Sequence, residues 1–271
     1  MTIGVFDSGL GGLSVLKAFV KIVPEYDYVY LGDNARAPYG GRSADRIFEF
    51  TKQGVQFLFD QGCALVVLGC NSASADALRR LQQEWLSESY PDRRVLGVII
   101  PAAEAIAKNY SDRKIGIIGT RATMSSNAYI REIEKCIEKA PRIEQVACPL
   151  LVPLIEEGWE KTVPAKMIIK KYLRALKSKQ VALLVLGCTH YAFIQDTISR
   201  VMGKKVVIID PGVCSARALK TYLEKHPEIE SRLEKNNILR IYSTDTSERI
   251  QNLAQRFWGK SLAIEKIDLD S

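Results

Sequence analysis

The sequence predicts an α/β protein of two pseudo-symmetric domains, each a mainly parallel sheet flanked by helices. Short β-branched runs alternate with amphipathic helical stretches along the 271 residues. Such alternation is typical of parallel sheets covered by helices on both faces. Segments of the first half also recur in the second half in the same order. The recurrence offset of roughly 110 to 120 residues is the length of one compact domain.

The predicted strands are short apolar runs, and the predicted helices are longer stretches with apolar residues at helical spacing. The strands are expected at Ile3–Phe6, Tyr28–Gly32, Leu65–Gly69, Val95–Ile99, Lys114–Ile118, Leu183–Gly187, Val206–Asp210, Leu239–Tyr242 and Leu262–Ile267. The helices are expected at Ser43–Phe59, Ser74–Ser89, Ser125–Lys139, Val163–Ser178 and Ser247–Phe257.

The internal repeat defines the predicted domains. The matching pairs are Ala64–Ser72 with Ala182–His190, Ile3–Ser8 with Ile115–Thr120, and Val98–Pro101 with Ile208–Pro211. The first domain is therefore expected to be discontinuous, comprising residues 1–97 plus 211–271, and the second to span residues 98–210. The crossings near Gly97 and Pro211 are a candidate hinge.

Composition excludes several classes of protein. No apolar run approaches the ~20 residues of a membrane-spanning helix. The segment Met1–Asp7 has the pattern of a first strand rather than of an export signal. We therefore expect a cytoplasmic protein without membrane contact. The net charge is +7. The densest basic cluster, Lys166–Lys179, lies on a predicted helix with apolar residues interleaved, which favours a solvated face and requires no nucleic acid. The six cysteines include no C-x-x-C pair and only two histidines are present, so no metal site is expected.

Cys70 and Cys188 are the strongest candidates for chemistry. Each directly follows a predicted strand of the same pattern, an apolar run and then glycine. Ligands of open parallel sheets gather at the carboxyl ends of the strands. If the two domains face each other, the two thiols lie on opposite sides of an interdomain active site. One thiolate can then remove a proton from a carbon while the opposite thiol returns one to the other face, and the following helix starts are expected to lower the thiol pKa. Inert burial is the competing interpretation, and Cys63, Cys136, Cys148 and Cys214 fit it better.

Polar residues follow the same strand ends. Asn71 and Ser72 follow Cys70, and Thr189 and His190 follow Cys188. These side chains and nearby backbone N–H groups suit carboxylate binding, and His190 can relay a proton.

Two loops add candidates. The first strand leads into the glycine-rich loop Asp7–Ser14, which lacks a phosphate-binding fingerprint. Asp7 can bind an ammonium group or assist a base, or it can simply cap the next helix. In the polar loop Asp33–Arg42, Arg36 and Arg42 are candidate anion partners, or are only solvated.

The motifs together resemble those of a known family. They are Gly4–Gly9, Leu31–Asp33, Ala37–Gly40, Gly69–Ser74, Cys148–Leu150, Glu156–Trp159 and Gly187–Tyr191, with Tyr242–Asp245 and Phe257–Gly259 towards the end of the chain. On these motifs the chain resembles bacterial glutamate racemases, of the cofactor-independent aspartate/glutamate racemase superfamily. Ser72 stands where threonine is common, and Ala192 where proline usually follows the tyrosine.

The resemblance implies a function and a set of site residues. It implies that the protein interconverts L- and D-glutamate without a cofactor or metal. It also implies that the D-glutamate is used for peptidoglycan, and hence for the cell wall and cell shape. A homodimer is a candidate assembly. It implies Cys70 and Cys188 as the paired acid and base, assisted by Asp7 and His190, with Glu156 as a nearby acid. The implied substrate contacts are Asp7, Ser8, Pro38, Tyr39, Gly40, Asn71, Ser72, Thr189 and His190, with Thr120 added through the repeat.

Three alternatives remain open. Aspartate racemases share the scaffold and both cysteines, but typically carry glutamate where His190 stands. A cysteine hydrolase with Cys188 as nucleophile and His190 as base would leave Cys70 unexplained. A flavodoxin-like binding module would need a phosphate-binding fingerprint that Asp7–Ser14 does not match.

Overall fold

Two parallel sheets flanked by helices form the frame of the molecule, which confirms the predicted fold class. The computed structural model describes residues 1–138 and 142–269. The strands of the first sheet are β1 (Thr2–Asp7), β2 (Tyr28–Gly32), β3 (Cys63–Leu68), β4 (Arg94–Gly97), β9 (Leu239–Ser243) and β10 (Glu265–Lys266). Those of the second are β5 (Ile115–Gly119), β6 (Ile143–Ala147), β7 (Leu183–Gly187) and β8 (Val207–Ile209). Their orders are β10-β9-β2-β1-β3-β4 and β6-β5-β7-β8, and all neighbouring strands run parallel.

Helices connect the strands and cover both sheets. The α-helices are α1 (Leu13–Ile22), α2 (Ala44–Asp60), α3 (Asn71–Asp76), α4 (Leu78–Arg80), α5 (Ser87–Ser89), α6 (Ile99–Tyr110), α7 (Arg121–Ser125), α8 (Ala128–Cys136), α9 (Leu151–Glu156), α10 (Val163–Ser178), α11 (Gln195–Met202), α12 (Pro211–Lys225), α13 (Pro227–Glu230) and α14 (Glu248–Trp258). A π-helical segment, Leu81–Leu86, joins α4 to α5, and 3₁₀ turns lie at Asn34–Arg36, Tyr39–Gly41 and Thr189–Ile194.

Burial on both faces explains the strand sequences. Every residue of β2, β3, β5 and β7 is buried, so these strands are near-continuous apolar runs rather than alternating ones. The helices instead bury one stripe, as α10 does with Ile169, Leu173 and Leu176. The side chain of Thr162 accepts a hydrogen bond from the Ala165 N–H and so caps the start of α10.

Several predicted boundaries are wrong for physical reasons. Strand β6 was not predicted because its sequence, Ile-Glu-Gln-Val-Ala, is half-exposed and carries no apolar run. The predicted strand Val95–Ile99 ends at Gly97, since Ile99 begins α6. The predicted strand Leu262–Ile267 contracts to β10, whose two residues are exposed.

Two predicted helices are interrupted. The predicted helix Ser125–Lys139 is broken at Asn127, where a left-handed backbone (φ 54°) separates α7 from α8, and Lys139 lies outside the described residues. The predicted helix Ser74–Ser89 passes through α3, α4, the π-helical segment and α5.

The two sheets correspond to the two predicted halves of the chain. All first-sheet strands lie within residues 1–97 and 211–271, and all second-sheet strands lie within residues 98–210. The chain crosses after β4 and returns after β8, and helices α6 and α12 at these crossings pack on each other. The exact domain boundaries and the hinge stay predictions. Among the described residues, no helix is both long and apolar enough to cross a membrane.

Gly54 of α2 provides a test of how closely this helix packs on the first sheet. A Cβ at Gly54 would lie 2.2 Å from Cε2 of the fully buried Phe6 ring. We expect Gly54→Ala to lower the free energy of unfolding by about 1–2 kcal/mol, because overpacking outweighs the gain in helix propensity. Urea unfolding measures the change. Gly41→Ala is the control, since a Cβ there meets nothing within 4 Å, and equal losses in both variants would contradict the packing argument.

Candidate functional site

A cavity of about 420 Å³ lies where the carboxyl ends of strands from both sheets meet. It contains nearly all of the site residues that the sequence predicts. Those lining it are Ser8, Pro38, Tyr39, Gly40, Cys70, Asn71, Ser72, Thr120, Glu156, Cys188, Thr189 and His190. Of the residues that the resemblance implies, Asp7 is not in the wall.

The two thiols enter this cavity from equivalent places in the two sheets. Cys70 follows β3 and directly precedes α3, and Cys188 follows β7 and precedes the 3₁₀ turn Thr189–Ile194. Both are buried. The Cys70 thiol donates to Ser8 Oγ at 3.4 Å, while Cys188 Sγ lies 4.0 Å from His190 Nδ1. Each thiol therefore has its own polar neighbour.

Burial favours the protonated form of both thiols. Loss of hydration, reinforced by the Asp7 charge, raises the pKa of Cys70 to about 11. Loss of hydration raises the pKa of Cys188 well above its ordinary value, with smaller contributions of the same sign from Cys70, Asp7 and Glu156. Backbone hydrogen bonds at the following turns act in the opposite direction and are outweighed. The backbone at the helix starts therefore lowers the thiol pKa in the expected direction, but the larger effect of burial makes the net shift upward.

Asp7 lies directly behind the cavity wall. Its Oδ1 accepts the Gly9 N–H at 2.9 Å, and its Oδ2 accepts the Thr189 hydroxyl at 3.3 Å. Complete burial raises the pKa of Asp7 to about 6, although the His190 charge and these hydrogen bonds partly offset it. Asp7 thus connects the end of β1 with the residues that follow β7.

His190 is held between the cavity and a carboxylate. Its Nε2 lies 3.1 Å from Glu156 Oε1, and Glu156 Oε2 accepts from Arg249 at 3.2 Å. Burial favours a raised pKa for Glu156, but the hydrogen bonds and charges of His190 and Arg249 together lower it. The glycine-rich loop leaves room for the His190 ring, because Gly11 has no side chain there. A Cβ at Gly11 would lie only 2.4 Å from His190 Nδ1.

Hydroxyl and amide groups cover the Cys70 side. The Tyr129 hydroxyl donates to Asn71 Oδ1 at 2.6 Å, which leaves the Asn71 amide N–H groups as donors. Ser72 Oγ and Thr120 Oγ1 are 2.9 Å apart, so residues that follow strands of the two sheets contact each other here. The Tyr39 hydroxyl donates its hydrogen bond to Asp33, so its proton is not available to a ligand in the cavity.

Several lining residues were not singled out from the sequence. Arg121 directly follows Thr120, so the repeat could have indicated it. Arg249 carries no local signal, Glu157 lies in the motif Glu156–Trp159 but was given no role, and Cys148 was assigned to the inert thiols. Burial raises the pKa of Cys148 to about 12.

The two predicted anion partners are placed elsewhere. Arg36 donates to Asp33 at 2.7 Å, and Arg42 donates to the Arg36 carbonyl at 3.3 Å. Within the described residues neither lines the cavity.

The arrangement suits acid–base chemistry on a small anion. The thiols of Cys70, Cys148 and Cys188, the His190 imidazole and two glutamate carboxyl groups line a pocket that also presents amide and hydroxyl groups. Over residues 1–138 and 142–269, no group of three or more His, Cys, Asp or Glu is placed to hold a metal ion.

Comparisons with known proteins agree on one family. A family model described as Asp/Glu/Hydantoin racemase matches residues 3–219. A glutamate racemase from Aquifex aeolicus is 37% identical over 262 residues, covering 97% of this chain and 96% of the relative. A solved glutamate racemase isoform from Bacillus anthracis superposes with a TM-score of 0.90 at 31% identity, covering 99% of this chain and 97% of that one. The glutamate racemase from Francisella tularensis, solved with D-glutamate, gives 0.88 at 32% identity, covering 99% and 98%.

The raised pKa of Asp7 predicts a specific pH dependence of stability. Between its ordinary pKa of 3.8 and about 6, the native state keeps a proton that the unfolded chain releases. The native state binds more protons there, so this contribution to stability is present below that window and is lost as the pH rises through it. We expect the free energy of unfolding of the wild type, relative to Asp7→Asn, to fall by roughly 2 kcal/mol between about pH 4 and about pH 7. Urea titrations across this range measure it, and a constant difference would contradict the raised pKa.

Proposed function

The chain belongs to the Asp/Glu/hydantoin racemase family, and we propose that it interconverts L- and D-glutamate with Cys70 and Cys188 as acid and base. The observation that carries the proposal is the pair of buried thiols, each directly beyond an equivalent strand, in one cavity between two sheets. Inversion at a carbon needs a proton acceptor on one face and a proton donor on the other. Two thiols from two related halves of the chain meet that need.

The proposed reaction balances with these groups alone. The thiolate of one cysteine removes the Cα proton, and the C–H electron pair remains on the substrate as a carbanion delocalised into the α-carboxyl group. The thiol of the other cysteine then donates its proton to the opposite face. The first cysteine ends as a thiol and the second as a thiolate, and solvent exchange resets them. No step asks for a metal or a cofactor.

Substrate binding is proposed to supply the positive charge that stabilises a thiolate. Burial favours the neutral thiol, so a thiolate needs a compensating positive charge nearby. The α-ammonium group of an amino acid brings that charge into the cavity. Asp7, behind the wall, and Glu156, within it, are the carboxyl groups that attract the ammonium.

The donors of the cavity suit a dicarboxylate. The amide of Asn71 and the hydroxyls of Ser72 and Thr120 are proposed to bind carboxylate oxygens, and Ser8 and Gly40 line the same cavity. His190 is proposed to exchange the proton of Cys188, from which its Nδ1 is 4.0 Å away.

Glutamate is favoured over aspartate by the relatives. Proteins that match nearly the whole chain at more than 30% identity are glutamate racemases, one of them solved with D-glutamate. The run Cys188-Thr189-His190-Tyr191 supports the same choice. The proposed biological role is supply of D-glutamate for peptidoglycan in the cytoplasm, which rests on this substrate.

Racemisation in D₂O tests the proposal. The purified protein is incubated with L-glutamate or L-aspartate in D₂O with EDTA, while optical rotation and Cα deuterium are followed. We expect rotation to decay with glutamate as deuterium enters Cα. Cys70→Ser and Cys188→Ser should each lower kcat/KM by roughly 10²–10⁴-fold, the usual contribution of a positioned acid or base.

Cys136→Ser is the matched control, since Cys136 is exposed and should leave the rate unchanged. Turnover of aspartate alone would contradict the substrate. Full activity after Cys70→Ser would contradict the two-thiol mechanism and favour chemistry at Cys188 alone.

A further inference from the structure

Arg249 makes a contact between the two halves of the chain at the rim of the cavity. It lies in the first turn of α14, which follows the first-sheet strand β9. Its Nη2 lies 3.2 Å from Glu156 Oε2 and 3.1 Å from Glu157 Oε1. Both glutamates lie at the end of α9, within residues 98–210. The guanidinium is therefore fixed by two carboxylates from the other half.

The remainder of α14 holds the same neighbours in place. Arg256 donates to the backbone carbonyls of Ile155 and Glu156, the latter at 3.3 Å. The Phe257 ring stacks on Phe193 of the 3₁₀ turn, with centroids 3.9 Å apart. It also meets the His190 ring edge-on, with centroids 5.8 Å apart. One helix thus contacts both the end of α9 and the turn that carries His190.

The two oxygens of Glu156 have separate partners. Oε1 is 3.1 Å from His190 Nε2, and Oε2 faces Arg249. A carboxylate on the last residue of a helix can rotate towards solvent when only one oxygen is held, and the Glu156 side chain is 24% exposed. Arg249 removes that freedom and so keeps Oε1 on the imidazole.

The orientation of His190 decides what faces Cys188. A carboxylate accepts a proton, so pairing with Glu156 places the imidazole N–H on Nε2. Nδ1 is then the unprotonated nitrogen, and it lies 4.0 Å from Cys188 Sγ. In this tautomer the imidazole can take the proton of the Cys188 thiol.

We propose that Arg249 is a positioning residue for proton transfer at Cys188, acting through Glu156 and His190. This role rests on the proposed racemase function. Arg249 acts on the Cys188 side of the reaction, because the contacts described for α14 reach Glu156, Glu157 and the turn that carries His190. Glu157 contributes by holding the Arg249 guanidinium in place, and that guanidinium donates to Glu156.

Primary deuterium isotope effects distinguish the positioning role of Arg249 from a general loss of structure. The two enantiomers have equal free energy, so a substitution must change kcat/KM by the same factor in both directions. We expect kcat/KM to fall by roughly two- to five-fold in Arg249→Ala, the scale of an exposed ion pair, and by less in Arg249→Lys.

The primary isotope effects of the two Cα-deuterated enantiomers should move in opposite directions. The effect rises for the enantiomer that Cys188 deprotonates, because that step becomes slower, and falls for the other.

Asn252→Ala is the matched control, because Asn252 is exposed on the same helix and should leave kinetics unchanged. Isotope effects that stay unchanged or shift together would overturn the role and indicate structural loss. A rise in KM alone would overturn it in favour of direct substrate binding by Arg249.

A second measurement does not depend on turnover. The chain has only two histidines, so ¹⁵N-histidine spectra resolve His190 from the exposed His226. We expect the Nε2–H tautomer of His190 in the wild type and a mixture of tautomers in Arg249→Ala. An unchanged His190 spectrum would overturn the positioning role even in an active enzyme. A wild type with this spectral response but no glutamate racemisation would instead overturn the proposed function.

Discussion

Removal of ionisable groups from water, where the two sheets meet, is the constraint on which the rest of the site depends. The Asp7 carboxyl and the thiols of Cys70 and Cys188 are buried within reach of each other's charge, and burial raises the pKa of all three. Burial therefore favours their neutral forms. In the proposed reaction, the ammonium group of the substrate is the cation that shifts this balance towards the thiolate.

The remaining contacts hold this cluster together from both halves of the chain. Thr189 donates to Asp7, and Ser72 meets Thr120, so each side of the cavity is joined to the other sheet. At the rim, Arg249 joins α14 to Glu156, with the two residues 93 positions apart in sequence. These contacts align the two strand ends that carry the thiols. Movement between the sheets would change the site and its access together.

The parts of this structure that depend on local pattern could be predicted from the sequence. Strands β3 and β7 are buried on both faces, so their apolar runs are unbroken and the repeat of glycine and cysteine after them is visible. In a parallel sheet each of these ends lies at the carboxyl edge, where ligands gather. What depends on tertiary contact could not be predicted. Edge strand β6 is half-exposed and lacks an apolar run. Arg249 resembles any arginine on a solvated helix face. The pKa of each thiol depends on its burial, which no local sequence pattern indicates.

The most direct test of the two-thiol site is a crystal structure of the wild-type protein with D-glutamate bound. The account predicts that the substrate Cα lies between the Sγ atoms of Cys70 and Cys188, one on each face, with the ammonium group towards the carboxyl groups of Asp7 or Glu156. A ligand with both thiols on one face of Cα, or one bound outside the cavity, would contradict it.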